Sequence, residues 1–172
     1  LQAACEKYGV PLLRSKDSTS ELMAALISYL NVQLAPRITR HGVLMEIYGE
    51  GILLIGDSGI GKSEAAVELL KRGHRLIADD AVEIKKVSNS SLLGTAPELI
   101  RNYIELRGIG IINVTNLFGL KAYRREKKID LVINLTDGQM SELERLGLER
   151  KMMSILGVEV ERLNLPVAPG RD

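Results

Sequence analysis

One stretch of eight residues carries the clearest chemical signal in this sequence. Residues 56–63 read Gly-Asp-Ser-Gly-Ile-Gly-Lys-Ser and satisfy the phosphate-loop pattern G-x-x-x-x-G-K-[ST]. Glycines adopt backbone angles that are closed to other residues, so consecutive N–H groups can point inward around an anion. Lys62 adds a mobile charge for the outer phosphates, and the Ser63 hydroxyl can bind Mg²⁺. The predicted phosphate-binding residues are Gly56, Asp57, Ser58, Gly59, Ile60, Gly61, Lys62 and Ser63.

Two adjacent carboxylates follow the next apolar stretch. Asp79 and Asp80 come directly after Leu76-Ile77-Ala78. An acidic residue at the end of a strand beside a phosphate loop is where a metal-holding or proton-accepting carboxylate belongs. Adjacent side chains point to opposite sides of an extended chain, so the two acids are expected to divide these roles. On the residues alone, a solvated turn after a strand is an equally good interpretation.

A glycine-containing stretch farther along combines charge with apolar residues. Glu105 and Arg107 are two residues apart and therefore share a face in extended chain. Gly108 and Gly110 permit close approach of the backbone to another group. Taken alone, this pattern favours an exposed ion pair beside a buried strand. His41 precedes a predicted strand, and a lone histidine is more often a structural hydrogen-bonding residue than a catalyst.

Alternating strand and helix patterns must position these residues. The run at 52–55 predicts a strand that is buried on both faces, and residues 62–72 predict a helix that ends at Gly73. Further strands are predicted at 75–78, 82–87 and 129–135, and a short helical pattern at Met152–Leu156. We therefore expect an α/β fold, and the hairpin at 82–96 indicates a mixed central sheet.

A separate helix precedes this core. Ser18 and Glu21 have the spacing of a capping box, which predicts a helix start. Apolar residues then recur at steps of three and four as far as Leu34, and Pro36 is expected to end the helix. The pattern predicts a connector whose apolar stripe packs on the main domain or on a partner subunit.

Composition excludes several classes of protein. The 172 residues are 45% hydrophobic, and 23 Lys and Arg nearly balance 22 Asp and Glu. A net charge of +1 and 3% aromatic residues argue against nucleic-acid binding. The single cysteine excludes a disulfide framework and fits a reducing compartment. With no apolar run of membrane-spanning length and no leader, we expect a cytoplasmic protein without a membrane or nucleic-acid partner.

Taken together, the motifs resemble one family, HPr kinase/phosphorylase, a bifunctional bacterial enzyme that acts on the phosphocarrier protein HPr. The stretch Glu105–Val114 is far more specific to that family than the phosphate loop is. The segments that carry the resemblance are His41–Leu44, Gly56–Glu64, Arg72–Asp80, Ala96–Ile100, Glu105–Val114, Leu117–Gly119, Arg145–Leu148 and Pro166–Arg171.

The resemblance implies a fold and an activity. The fold is a P-loop kinase domain that resembles the nucleotide-binding core of phosphoenolpyruvate carboxykinase. With Mg²⁺ bound, ATP or pyrophosphate donates a phosphoryl group to a regulatory serine on HPr. Inorganic phosphate removes the group again and yields pyrophosphate. The family uses these reactions to control carbon catabolite repression, and its members assemble as homohexamers.

The resemblance also implies roles for individual residues. Lys62 and Ser63 keep their phosphate and Mg²⁺ roles, and Glu105 matches a second Mg²⁺ ligand. Asp80 matches the proton acceptor for the serine hydroxyl, with Asp79 as its support. Two further active-site positions are His41 and Arg145. A segment tied mainly to dephosphorylation comprises Pro166, Val167, Ala168, Pro169, Gly170 and Arg171.

The family pattern assigns residues 1–36 to the remnant of an N-terminal domain with its connector helix, and 37–172 to the catalytic domain, with the C-terminal helices absent or truncated. Two other functions stay open. A small-molecule phosphotransferase resembling phosphoenolpyruvate carboxykinase is disfavoured by the stretch Glu105–Val114. A non-catalytic nucleotide-sensing module is disfavoured by Asp80 and Arg145, because sensing needs no proton acceptor.

Overall fold

The computed structural model describes residues 2–137 and 151–167, and the chain divides into two units, Leu1–Ala35 and Pro36–Asp172. The first unit contains α1 (Gln2–Tyr8) and α2 (Thr19–Gln33). The predicted capping box is confirmed, because the Ser18 N–H donates to the Glu21 carboxylate (3.0 Å) and the Glu21 N–H donates to the Ser18 hydroxyl (3.3 Å). No side chain of α2 is buried. No helix among the described residues combines the length and the hydropathy needed to cross a membrane.

Strands dominate the second unit. Its described helices are α3 (Lys62–Lys71) and α4 (Val114–Phe118), with 3₁₀ turns at Glu98–Ile100 and Leu120–Ala122. Its described strands are β1 (Arg37–His41), β2 (Val43–Ile47), β3 (Glu50–Gly56), β4 (Arg75–Ala78), β5 (Ala81–Ser88), β6 (Ser91–Thr95), β7 (Tyr103–Leu106), β8 (Gly110–Asn113), β9 (Glu126–Lys128), β10 (Leu131–Thr136), β11 (Lys151–Ile155) and β12 (Val158–Pro166).

A six-stranded sheet organises this unit, in the order β11-β12-β10-β3-β2-β4. The pairs β12–β10 and β10–β3 are parallel, and the pairs β11–β12, β3–β2 and β2–β4 are antiparallel. The predicted α/β fold with a mixed central sheet is therefore confirmed. The predicted hairpin at 82–96 also forms, as β5 and β6, but it lies in a second sheet of order β1-β5-β6-β9.

The two faces of the six-stranded sheet are covered differently. Leu53 of β3 packs in a cluster with Val82, Ile84 and other residues of the second sheet. Its neighbour Leu54 packs in another cluster with residues of α3 and with Ile104 of β7. Because successive side chains of a strand point to opposite faces, the apolar run in β3 supplies both clusters. This double burial fixes the strand that leads into the phosphate loop.

The helix predicted at Met152–Leu156 is wrong. Residues 152–155 lie in β11, which pairs with β12 through a two-residue connection, Leu156-Gly157. Both connecting residues have positive φ, 52° and 73°, as a type I′ hairpin turn requires. Short apolar runs do not distinguish a helix from a strand by periodicity. Gly157, which permits the turn, was the feature of the sequence that indicated a hairpin here and not a helix.

Gly51 permits a closer approach to another part of the chain than any other glycine that the structure describes. Its N–H donates to the Asp130 carboxylate (2.8 Å), and the Asp130 N–H donates to the Gly51 carbonyl (2.8 Å). A β-carbon at Gly51 would lie 1.8 Å from the Lys128 carbonyl oxygen. No side-chain rotation relieves such a clash, because the backbone fixes the position of the β-carbon and the atom that it meets is a backbone oxygen. The start of β3 is therefore fixed against the chain between β9 and β10.

We expect Gly51→Ala to lower the free energy of unfolding by about 3 kcal/mol, because the methyl group forces the backbone apart. The matched control is Gly49→Ala, which meets no atom within 4 Å. It should lose only about 1 kcal/mol, from strain at positive φ. Urea unfolding followed by circular dichroism measures both values. Equal losses in the two variants would contradict this account of the contact.

Candidate active site

The phosphate loop connects β3 to α3. Gly56 has a φ of 142°, and a β-carbon there would lie 2.5 Å from the Leu135 carbonyl oxygen of β10, so the loop starts where only glycine fits. Lys62 is only 6% exposed. Its ammonium group donates to the Gly56 carbonyl (2.9 Å) and to the Asp57 carbonyl (2.8 Å). These bonds use two of the three donors of the ammonium group and leave one for an anion in the loop.

A buried carboxylate joins the loop to a second element. Asp79 follows β4 and is 4% exposed. The Ser63 hydroxyl donates to its Oδ1 (2.8 Å), and the backbone N–H of Glu105 in β7 donates to its Oδ2 (3.0 Å). Burial raises the pKa of the Asp79 carboxyl above its ordinary value of 3.8, and these hydrogen bonds oppose the rise. Asp79 therefore holds the start of α3 and the β7–β8 hairpin in one site.

The neighbouring acid has the opposite environment. The side chain of Asp80 is 66% exposed, and its backbone has a φ of 65°, in the left-handed region that is uncommon for residues other than glycine. The Gly42 N–H donates to its carbonyl (3.1 Å). Nδ1 of His41 lies 3.0 Å from the same carbonyl and 2.9 Å from Oδ1 of the carboxylate. Since both neighbours are acceptors, Nδ1 carries the hydrogen and His41 orients the Asp80 carboxylate.

These elements surround one cleft of about 550 Å³. The residues that were predicted separately and that line it together are His41, Ser58, Gly59, Gly61, Lys62, Ser63, Asp79, Asp80 and Glu105. Three elements far apart in sequence thus converge: the phosphate loop, the turn after β4 and the β7–β8 hairpin. A phosphate held in the loop therefore shares the cleft with an exposed carboxylate and with Glu105.

The structure does not describe every residue that was predicted for the site. Arg145 lies outside the described residues, and so do Ala168, Pro169, Gly170 and Arg171 of the predicted dephosphorylation segment. The remaining residues of that segment are described. Pro166 ends β12 opposite Thr136 of β10, and the Val167 N–H donates to the Thr136 carbonyl (2.7 Å). Neither Pro166 nor Val167 lines the cleft.

Two charged residues of the cleft were assigned no catalytic or binding role from the sequence. Glu64 follows Ser63 in the first turn of α3, and Arg107 lies in the turn after β7. Taken alone, the spacing of Glu105 and Arg107 favoured an ion pair, but no such ion pair forms among the described residues. Because the strand ends at Leu106, the alternation that predicted a shared face does not extend to Arg107. Both residues lie beside motifs that were identified in the sequence, and this position could have indicated that they line the cleft.

The donors in the cleft fit a divalent cation that is shared with a phosphate. Among the described residues, no group of three or more His, Cys, Asp or Glu side chains is arranged to hold a metal ion. Mg²⁺ often takes one or two protein ligands and completes its shell with water and substrate phosphates. The Ser63 hydroxyl hydrogen is directed at Asp79, so its lone pairs stay available to a cation. The exposed Glu105 carboxylate lines the same cleft.

Comparison with known proteins identifies the family. The sequence profile described as "HPr Serine kinase C-terminal domain" matches residues 32–172. The chain belongs to this family. The matched residues, 32–172, include all the elements that surround the cleft.

Relatives and a solved structure agree with this assignment. The HPr kinase/phosphorylase of Caldicellulosiruptor bescii is 56% identical over 168 residues, which are 97% of this chain and 54% of that protein. The HPr kinase/phosphorylase of Bacillus subtilis is 51% identical over 98% of this chain and 55% of its own length. The structure of the HPr(Ser) kinase/phosphatase from Coxiella burnetii matches with a TM-score of 0.72 and 35% identity, over 78% of this chain and 82% of that chain. The chain spans about half the length of the curated relatives that it matches.

The burial of Asp79 predicts how stability depends on pH. Because its pKa is raised in the folded state, the neutral carboxyl favours folding below its unfolded pKa, and this contribution is lost as the pH rises through the folded pKa. We expect the free energy of unfolding of the wild type, minus that of Asp79→Asn, to fall as the pH rises from about 4. Urea unfolding of both proteins across the acidic range measures the difference. A difference that rises with pH, or does not change, would contradict the assigned cause.

Proposed function

We propose that this chain contains the catalytic site of an HPr kinase/phosphorylase, which transfers a phosphoryl group to a serine of HPr and removes it again by phosphorolysis. One observation carries the proposal. The phosphate loop, the exposed Asp80 carboxylate and Glu105 line a single cleft, in a chain that belongs to the HPr serine kinase family. A nucleotide-binding module without catalysis needs the loop but not the carboxylate.

In the forward direction, the loop and Lys62 hold the phosphates of the donor so that the outermost phosphorus faces Asp80. The serine hydroxyl of HPr attacks this phosphorus, and the bond to the bridging oxygen of the donor breaks. The Asp80 carboxylate accepts the hydroxyl proton. Its exposed side chain suits a substrate that arrives from solvent, and Nδ1–H of His41 keeps one carboxylate oxygen in place while the other reacts.

In the reverse direction, inorganic phosphate occupies the loop and attacks the phosphorus of phosphoserine. The bond between phosphorus and the serine oxygen breaks, and pyrophosphate forms. The attacking phosphate releases a proton to Asp80, and Asp80 donates a proton to the serine oxygen. One carboxylate that accepts the proton in one direction and donates it in the other satisfies microscopic reversibility. Asp79 takes no part in this transfer, because both its oxygens already accept hydrogen bonds.

We assign the binding of Mg²⁺ to Ser63 and Glu105. Bound Mg²⁺ neutralises charge that develops on the phosphate oxygens. Asp79 supports both ligands, since it fixes the hydroxyl of Ser63 and the backbone of Glu105. This division of roles, with Asp79 for positioning and Asp80 for proton transfer, follows from the burial of the first acid and the exposure of the second.

Family membership supports the wider proposal. It includes ATP or pyrophosphate as donor, a homohexamer, a cytoplasmic location and the control of carbon catabolite repression. Residues 1–36 are proposed as a separate unit with a connector helix, and 37–172 as the catalytic domain. Arg145 and the segment Pro166–Arg171 are proposed as further contributors to the two reactions.

The test is a phosphoryl-transfer assay with purified HPr. The chain is incubated with HPr, Mg²⁺ and ATP labelled at the γ-phosphate, and inorganic phosphate is then added. We expect the label to appear on a serine of HPr and to leave as pyrophosphate. The full-length Bacillus subtilis relative serves as the positive control. A chain that binds ATP but never labels HPr, while the control does, would contradict the proposal and favour a nucleotide-sensing module.

Replacing Asp80 separates chemistry from binding. We expect Asp80→Asn to lower the rates of both phosphorylation and phosphorolysis by about 10²-fold to 10⁴-fold, because the amide cannot accept the proton. Affinity for MgADP should not change, since Asp80 lies outside the phosphate loop. Rate assays and calorimetric titration measure the two quantities, with Lys62→Ala as the control that weakens nucleotide binding. Lost nucleotide affinity in Asp80→Asn would make Asp80 a binding residue instead.

A further inference from the structure

Arg107 lies directly against the phosphate loop. A β-carbon at Gly59 would lie 2.9 Å from Nη2 of Arg107 and 3.2 Å from Nη1. The guanidinium therefore occupies the space that the absent side chain of Gly59 leaves open. Gly59 also has a φ of 82°, so glycine suits this position for its backbone as well as for its size. The contact brings a charge from the β7–β8 hairpin to the middle of the loop.

This guanidinium has no partner among the residues that the structure describes. Among the described residues, Arg107 forms no ion pair or hydrogen bond, and its side chain is exposed in the cleft. Other arginines of the same unit differ. Arg75 and Arg124 both pair with Glu46, and Arg101 pairs with Glu98. Arg107 thus presents five N–H donors and a full positive charge to the loop.

We propose that Arg107 is a further catalytic residue that binds the outermost phosphoryl group of a polyphosphate held in the loop. The inference rests on the proposed function. Loop N–H groups around Gly59 cradle the outer phosphates, so the guanidinium beside them lies within reach of the same oxygens. A planar guanidinium binds two oxygens of one phosphoryl group, and the single charge of an ammonium group cannot reproduce this.

The roles of Lys62 and Arg107 follow from their surroundings. The Lys62 ammonium is buried and is already bonded to two loop carbonyls, which fixes its position. Arg107 is exposed and has no partner in the described part of the chain, so its charge is available to the group that is transferred. Negative charge spreads over the oxygens of that group in the transition state, where an arginine contributes most. In both directions, Arg107 stabilises this charge, while Asp80 accepts or donates the proton.

Binding of Mg²⁺-pyrophosphate and of MgADP to the intact chain tests the proposal by calorimetry. Arg107→Gln should weaken pyrophosphate binding about tenfold or more and lower the phosphoryl-transfer rate by about 10²-fold or more, because the bidentate contact is lost. MgADP, which lacks the outermost phosphoryl group, should lose less affinity. Arg107→Lys should retain part of the affinity and little of the rate. The matched control is Arg125→Gln, which removes an exposed arginine that does not line the cleft.

A second pair of variants tests the contact itself. Gly59→Ala and Gly61→Ala both place a methyl group at positive φ, but only the methyl group at Gly59 meets Arg107. The Gly59→Ala methyl group should displace Arg107 from the loop. Arg107→Gln should therefore lower pyrophosphate affinity less when it is added to Gly59→Ala than when it is added to Gly61→Ala.

Two outcomes overturn the inference, and they are distinguishable. If wild-type chain binds pyrophosphate and Arg107→Gln behaves like Arg125→Gln, Arg107 does not contact the outer phosphate, and the proposed function stands. If wild-type chain does not bind pyrophosphate or MgATP at all, the proposed function falls, and this inference falls with it.

Discussion

The two hydrogen bonds of the buried Asp79 carboxylate are the constraint on which the site depends. One oxygen accepts from the Ser63 hydroxyl at the start of α3, and the other accepts from the Glu105 backbone in β7. A buried carboxylate without partners would be strongly unfavourable, so each of these bonds offsets part of the cost of burying Asp79. Through this one side chain, the phosphate loop and the β7–β8 hairpin form a single cleft.

The remaining features of the cleft follow from where Asp79 is anchored. The chain turns sharply after it, and Asp80 takes a left-handed conformation that turns its side chain toward solvent. The bonds from Gly42 and His41 to the Asp80 carbonyl hold that turn. A strained residue in a functional cleft is common, because the surrounding structure compensates for the strain. Two adjacent acids thus acquire different environments, one buried and positioning, one exposed and available to a proton.

Much of the fold and of the candidate site could be predicted from the sequence, and what could not be predicted has physical reasons. The loop at 56–63 and the buried strand before it depend on local patterns, so both were predictable. The convergence of Asp79 with Glu105 was implied only by the family resemblance, because it depends on a long-range contact that no local pattern encodes. The hairpin at 82–96 was predicted, but its sheet was not, since pairing partners are set by tertiary packing. Taken alone, the spacing of Glu105 and Arg107 favoured an ion pair, but the shared face that this requires does not exist because β7 ends at Leu106.

Amide hydrogen exchange at Glu105 tests the central claim most directly. In the wild type, the Asp79 carboxylate accepts the Glu105 N–H, so this amide should exchange slowly although its side chain is exposed. Asp79→Ala should accelerate its exchange selectively, while amides bonded between β7 and β8 keep their protection. Ser63→Ala, which removes the other bond to the same carboxylate, should leave Glu105 protected. Equal exchange of the Glu105 amide in the wild type and in Asp79→Ala would contradict the account.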